Sequence, residues 1–219
     1  MRQSFTVTAA ASSTLLLTIA QLRAAAGLQP TDNTRDPGLT ELGKRISADI
    51  MTACQVASDG VHPPALLSET ISEVHWLRRS DDMILLGRRF VSSISTLTEA
   101  GTAVLTVDYS LDKEAGILER LREAAPSRWS PGQVSVTYIA GFTPENLPGD
   151  LVGAAMDLAR LRLSADSVDP LEKATTITIP DVETRRVERW VGAVPGSASG
   201  PLPEDIMARL TRFMTTVVA

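Results

Sequence analysis

The residue types that most often carry out catalysis are scarce in this chain. Its 219 residues include one cysteine, Cys54, and two histidines, His62 and His75. A single thiol excludes an internal disulfide and any metal site with several thiolate ligands. Two histidines exclude a metal centre held by three of them. Cys54 lies beside the apolar stripe of a predicted helix, so we interpret it as a small core residue rather than a nucleophile.

Neither histidine is placed like a catalytic base. His75 lies in an alternating segment beside Trp76, which is typical of a surface or half-buried position in a sheet. His62 precedes Pro63 and Pro64 and is predicted to lie in a loop. The sequence has no phosphate-binding loop and no Gly-x-Ser-x-Gly elbow. We therefore expect no catalytic residue, no metal ion and no cofactor.

Charged side chains leave two alternative functions open. A small enzyme with an acid-based site in the β-rich region would use paired acids that occur in predicted turns. These acids are Asp81, Asp82, Glu145 and Asp150. A nucleic-acid-binding module would use short arginine pairs. These pairs are Arg78–Arg79, Arg88–Arg89 and Arg185–Arg186. The net charge of -5, from 21 basic and 26 acidic residues, does not favour a broad phosphate-binding face.

The overall composition is that of an ordinary globular protein. Hydrophobic residues make up 43% of the chain and charged residues 21%, which excludes a disordered or collagen-like chain. No apolar run reaches the roughly 18 residues that a membrane-spanning helix needs, so we expect no membrane partner.

Apolar residues at helical spacing predict three helices, two in the N-terminal part of the chain and one after Pro148. The first is capped by Thr18 and ended by Gly27, and the second begins near Pro37 or Thr40. The third follows Pro148 and is apolar around most of its circumference over 151–165. Such a helix must be covered from more than one direction, by the N-terminal helices, by a neighbouring subunit, or by both.

Between Leu66 and Phe142 the hydrophobic period changes from helical to alternating. Alternation is clearest over 70–77 and 134–140, and several shorter segments lie between these two. The pattern predicts an antiparallel sheet or small barrel of about five or six strands.

The C-terminal part of the chain is predicted to be a linker followed by a short helix. Residues 195–201 have the composition of a flexible linker. The helix beyond it carries Ile206, Leu210 and Phe213 at helical spacing, and a short striped helix after a linker often docks outside its own core.

These patterns together predict an α+β fold. We expect a small helical bundle, made of two N-terminal helices and the long apolar helix, with an inserted antiparallel β-rich region and a C-terminal tail helix. The predicted domains are a discontinuous helical core of residues 1–62 and 143–192, a β-rich insertion of residues 63–142, and a linker with a docking helix over residues 193–219.

One motif adds a family resemblance. A strand of the form V-x-Y-x-A-G, followed by P-x-x-L-x-x-A at the start of a long helix, resembles phage head–tail connector proteins. These proteins, also called head-completion adaptors, occur in tailed phages, prophages and gene transfer agents. The matching residues are Val136, Tyr138, Ala140, Gly141, Pro148, Leu151 and Ala154. The resemblance covers roughly residues 14–60 and 130–192, including Trp190 to Gly192, while the long β-rich region departs from the family's smaller members.

The resemblance implies a structural protein of the virion neck that is not an enzyme. It implies a homo-oligomeric ring of about twelve copies beneath the portal, with a tail-side adaptor or stopper protein on its other face. DNA would pass through the lumen without sequence-specific binding, and the ring would be assembled in the bacterial cytoplasm. The residues expected to face another subunit or the portal are Leu151, Met156, Leu163, Trp190, Ile206, Leu210 and Phe213.

Overall fold

The computed structural model describes residues 2–166, 174–179, 183–188 and 202–215. Within these residues the helices are α1 (Ile19–Ala25), α2 (Asp36–Ala53), α3 (Gly149–Asp166) and α4 (Glu204–Leu210). The strands are β1 (Arg2–Ala9), β2 (Glu69–Leu77), β3 (Met83–Leu85), β4 (Val91–Glu99), β5 (Thr102–Ala103), β6 (Tyr109–Asp112), β7 (Ile117–Arg122), β8 (Ala125–Ser127), β9 (Gly132–Ala140), β10 (Ala174–Ile179) and β11 (Glu183–Glu188). None of the helices in this described part is both long and apolar enough to cross a membrane.

The chain divides into two compact units, each formed by separate stretches of sequence. The first unit consists of Met1–Thr14, Gln55–Leu147 and Met214–Ala219. The second consists of Leu15–Cys54 and Pro148–Phe213. The three-domain division given by the sequence stays a prediction.

The first unit contains two antiparallel sheets. Five strands form the larger sheet in the order β1-β2-β9-β4-β5, and β3, β7 and β6 form the smaller one, in which β8 also pairs with β7. Buried residues of β2 alternate with half-buried ones along the whole strand, as expected when one face of a sheet covers a core. Side chains from both sheets form one apolar core. Its members include Ile71, Ile84, Leu118, Trp129 and Val136.

Four helices pack together in the second unit. Thr18 begins α1 with a capping box in which its hydroxyl accepts from the Gln21 amide and the Gln21 side chain accepts from the Thr18 amide. Helix α3 contacts α1, α2 and α4. It buries one stripe, whereas Val152, Met156, Leu161 and Leu163 are half-buried. The buried stripe is Leu151, Ala154, Ala155, Leu158 and Ala159. Within the chain, α3 is thus covered by the N-terminal helices, which the sequence analysis names as one possible cover, and also by α4.

Strands β10 and β11 form a two-stranded antiparallel sheet in which Ala174 lies opposite Glu188. Among the described residues they pair only with each other.

The predicted architecture is wrong, although the fold is α+β overall. We expected a small helical bundle with a long apolar helix, carrying a β-rich insertion, but most of the ordered elements are strands in two antiparallel sheets with a core of their own. Strand β1 shows why. It comes from the N-terminal stretch assigned to the helical core, yet it pairs with β2 at the edge of the larger sheet. Phe5, Val7 and Ala9 alternate with Thr6 and Thr8, but only Val7 is buried and most side chains of the strand are exposed, so this short pattern does not reveal that the segment joins the sheet.

Candidate assembly surfaces and the buried polar cluster

Helix α4 packs on α3 of its own chain. Ile206, Leu210 and Phe213, predicted to face a partner, are buried in the second unit. Asp157 on α3 holds the exposed side of this contact: its carboxylate pairs with Arg209 of α4 at 2.7 Å and with Arg160, one turn along α3, at 3.1 Å. The apolar residues of this C-terminal segment are therefore buried against their own chain, which the sequence did not indicate.

The other candidate interface residues differ in their exposure. Leu151 is buried in the second unit, whereas Met156 and Leu163 are half-buried on α3. Trp190 and the linker predicted over 195–201 lie outside the described residues.

Leu163 borders an open pocket of the second unit. The pocket has a volume of about 300 Å³ and lies between the start of α2 and the C-terminal half of α3. Its lining residues are Arg35, Gly38, Leu39, Leu42 and Leu163. Leu163 is therefore the predicted interface residue that the structure places in an accessible apolar depression.

The first unit contains a polar cluster centred on three buried side chains. Glu73 on β2 lies at its centre and, with His75 and Tyr138, is fully buried. One carboxylate oxygen of Glu73 accepts hydrogen bonds from the Tyr138 hydroxyl and, at 2.9 Å, from the Gly87 amide. The other oxygen accepts from the Gln3 side-chain amide at 2.9 Å and lies 3.0 Å from His75 Nε2. The cluster thus joins β1, β2, β9 and the loop after β3.

An ion pair extends this cluster. Arg88 donates to Glu69 Oε2 at 2.8 Å and to the Ala65 carbonyl at 2.8 Å, and its backbone amide donates to the Tyr138 hydroxyl at 3.2 Å. Burial raises the pKa of Glu69 and lowers that of Arg88, and the attraction between the two charges opposes both shifts. Burial, together with the neighbouring charge of Glu73 and the hydrogen bond to it, raises the pKa of Tyr138, so its hydroxyl stays protonated and acts as a donor.

These positions correct two expectations about single residues. His75, expected at a surface or half-buried position, is fully buried, and Arg88 is a core residue rather than half of a basic surface pair. Glu73 and His75 are two residues apart in an alternating strand and so share a face, which is the signal that could have found them. The hydrogen bonds of these buried groups tie neighbouring strands together.

The other histidine, His62, and the single cysteine, Cys54, also make local contacts or are buried. His62 lies in a loop, where its Nδ1 is 2.9 Å from Asp59 Oδ2. Burial raises the pKa of the Cys54 thiol to about 11, which keeps it protonated. Among the described residues, no group of three or more His, Cys, Asp or Glu side chains could hold a metal ion.

Three acids of the enzymatic alternative are exposed, and the fourth, Asp81, is half-buried. Asp82 makes an exposed ion pair with Arg128 at 2.6 Å, and Asp81 accepts from the Asp82 backbone amide at 3.1 Å. Glu145 and Asp150 are exposed, the former in a short 3-10 turn and the latter in the first turn of α3. These are ordinary turn and helix-start roles for acidic residues.

Comparison with known proteins gives structural matches only. No family model and no curated protein matches the chain. A chain in a structure described as the virion of a native gene transfer agent (GTA) particle matches at a TM-score of 0.55 and 20% identity, covering 98% of this chain and 97% of that chain. Chains in structures of the neck of an empty GTA particle, with C6 symmetry, and of a native one, with C12 symmetry, match at TM-scores of 0.55 and 0.53. Their identities are 20% and 19%, with the same coverage. The chain therefore has the fold of a protein found in GTA necks, in agreement with the resemblance to a family that occurs in gene transfer agents.

Proposed function

We propose that this protein is a structural subunit of a particle neck, a head–tail connector that joins a DNA-filled capsid to its tail. The observation that carries the proposal is the match to a chain in GTA neck structures over 98% of this chain. Because the match takes in nearly the full length of both chains, it supports a role for the whole protein rather than for one module.

Copies of the chain would form a ring in the neck. The matched neck structures were computed with six-fold and twelve-fold symmetry, and both symmetries are compatible with a ring of twelve. One face of the ring would contact the portal, the other would contact a tail-side adaptor or stopper protein, and DNA would pass through the lumen. The net charge of -5 suits such a channel if acids face the lumen, because phosphates are then repelled rather than held.

The protein would act without chemistry or a cofactor. Glu73, His75 and Tyr138, the residues that most resemble a catalytic group, are closed off from solvent and tie strands together. The protein would be assembled in the bacterial cytoplasm and retained in the neck of the finished particle.

Assembly contacts are assigned according to what remains accessible. Met156 and Leu163, half-buried on α3, are proposed interface residues on this ground, and Trp190, which lies outside the described residues, is proposed from the sequence alone. Leu151 and the buried residues Ile206, Leu210 and Phe213 face their own chain, so an assembly role for the last three requires the segment that carries them to leave α3 and dock on another copy or on the portal.

The proposal is tested by producing particles without this chain. We expect DNA-filled heads and separate tails that do not join, and expression of the intact chain should restore joining. A variant with the four acids of the enzymatic alternative replaced, D81N, D82N, E145Q and D150N, should also restore joining, because these residues have no catalytic task. Normal joining without the chain, or failure of this variant despite correct folding, would contradict the proposal.

A further inference from the structure

The turn between β5 and β6 presents two large apolar side chains to solvent. Leu105 is 64% exposed and Val107 is 72% exposed. Single exposed aliphatic residues are common on protein surfaces, but here two such residues flank Thr106 in one short 3-10 turn. Their side chains form a small apolar projection, which we call the 105–107 knob.

The knob is held in place by well-defined hydrogen bonds. The Asp108 amide donates to the Leu105 carbonyl at 2.9 Å, and the Asp108 carbonyl accepts from Arg120 Nη1 at 2.6 Å. Arg120 is fixed in turn by its ion pair with Glu99 at 3.0 Å. A rigid projection loses little conformational entropy on binding, so the apolar residues of the knob are preorganised for a partner.

The pocket of the second unit has matching properties. Leu39, Leu42 and Leu163 give it apolar walls, and Arg35 supplies a positive charge at its edge. Its volume of about 300 Å³ is at the small end of the range for ligand sites, roughly 300–1,000 Å³, and suits a pair of aliphatic side chains. The acidic residue next to the knob, Asp108, has the charge opposite to that of Arg35.

We propose that the 105–107 knob of one copy docks into the 35–42/163 pocket of the next copy, with Asp108 facing Arg35. The inference rests on the proposed ring. A ring is closed by head-to-tail contacts that join two different surfaces of each subunit, and the knob and the pocket are two such surfaces, on different units of the chain. Burial of two exposed aliphatic side chains supplies the favourable free energy, and the charge pair sets the orientation.

Charge substitution in the knob tests this contact. Leu105→Glu with Val107→Glu places two acids in the apolar pocket, so rings formed with a portal should fall at least tenfold in yield, measured by light scattering and negative-stain imaging. Val61→Glu is the matched control, because Val61 is an apolar residue 81% exposed in the same unit but outside the knob. Circular dichroism should show both variants folded, and Leu42→Glu in the pocket is the second variant if the knob variant does not fold.

Crosslinking tests the pairing directly. Leu105→Cys protein and Leu163→Cys protein are mixed in ring-forming conditions with a short bismaleimide; native Cys54 is buried and does not compete. We expect crosslinked dimers from the mixture and none from either protein alone. Rings that form normally with the knob variant, or a mixture that gives no crosslink within intact rings, would overturn the inference and leave the proposed function standing. Absence of rings from the unaltered chain with its portal would contradict both.

Discussion

Tyr138 on β9 donates its hydroxyl hydrogen to Glu73 on β2, although the residue opposite Tyr138 in the strand register is Ile71. The bond therefore runs diagonally across the sheet, and both residues are fully buried. The same hydroxyl accepts from the Arg88 amide at 3.2 Å, so one phenol connects two strands and the loop after β3.

Removal of this hydroxyl should destabilise the protein. In Tyr138→Phe, a buried carboxylate loses a donor and a buried amide loses its acceptor, which costs about 1–3 kcal/mol in the free energy of unfolding. Urea denaturation would measure the loss. Tyr109→Phe is the control, because Tyr109 is a half-buried tyrosine of the same unit outside the cluster, and an equal loss there would contradict the special role of Tyr138.

Two glycines of α2 should respond differently to alanine. A Cβ at Gly43 would lie 2.9 Å from Leu22 Cδ1 on α1, whereas a Cβ at Gly38 would meet no atom within 4 Å. Helix propensity favours alanine by up to about 1 kcal/mol at both positions, but at Gly43 the buried Leu22 must shift. Thermal unfolding should therefore show Gly38→Ala at least as stable as the unaltered protein and Gly43→Ala less stable than Gly38→Ala. The reverse order would contradict the close packing of α1 on α2.

Leu210→Ala should loosen α4 from α3. Leu210 is fully buried, and truncation of such a leucine costs about 2–5 kcal/mol. Met207→Ala, on the same helix at a half-buried position, should cost less. Hydrogen exchange in α4 would report whether the loss is local. Equal protection of α4 in the two variants would contradict an intramolecular docking of this helix.

Acid should weaken the contribution of Asp59 to stability. Its carboxylate accepts from the backbone amide of His62 at 2.8 Å and from the His62 ring at 2.9 Å, and also from the amides of Val61 and Val7, so its pKa lies well below the usual range. Because the folded-state pKa is below the unfolded value of about 3.9, the stabilisation is present above roughly pH 4 and is lost as the pH falls further.

Asp59→Asn should therefore be less stable than the unaltered protein at pH 7, and this difference should shrink below pH 4. Asp82→Asn is the control, since its exposed pair with Arg128 contributes little at any pH. A difference between Asp59→Asn and the unaltered protein that is the same at pH 7 and pH 3 would show that the carboxylate charge is not responsible.

Local signals in the sequence predict many elements well. Alternation over 134–140 and 70–77 predicts β9 and β2, and the cap at Thr18 predicts the start of α1. Strong alternation needs one buried face, and both strands are interior strands of the larger sheet. The edge strand β1 has little buried surface. Its alternation is limited to Phe5, Val7 and Ala9, so its residue pattern does not identify β2 as its partner.

Pairings between distant residues explain the remaining failures. The Arg88–Glu69 pair joins residues 19 positions apart, and the Tyr138–Glu73 bond joins residues 65 apart. Composition and spacing carry no information on such pairs, so the buried position of Arg88 could not be predicted from the sequence. The cover that α4 gives to α3 is equally non-local, and for this reason the sequence leaves open whether the apolar helix is covered by its own chain, by a neighbouring subunit, or by both.

The mass of the assembly formed with a portal tests the central claim most directly. The purified chain is mixed with a portal ring from the same particle, and light scattering and negative-stain imaging measure the mass and shape of the product. A ring of this chain stacked on one face of the portal, with a mass increase of about twelve subunits, is the expected result. A chain that stays a single subunit and leaves the portal unchanged at concentrations where necks assemble would contradict a connector role.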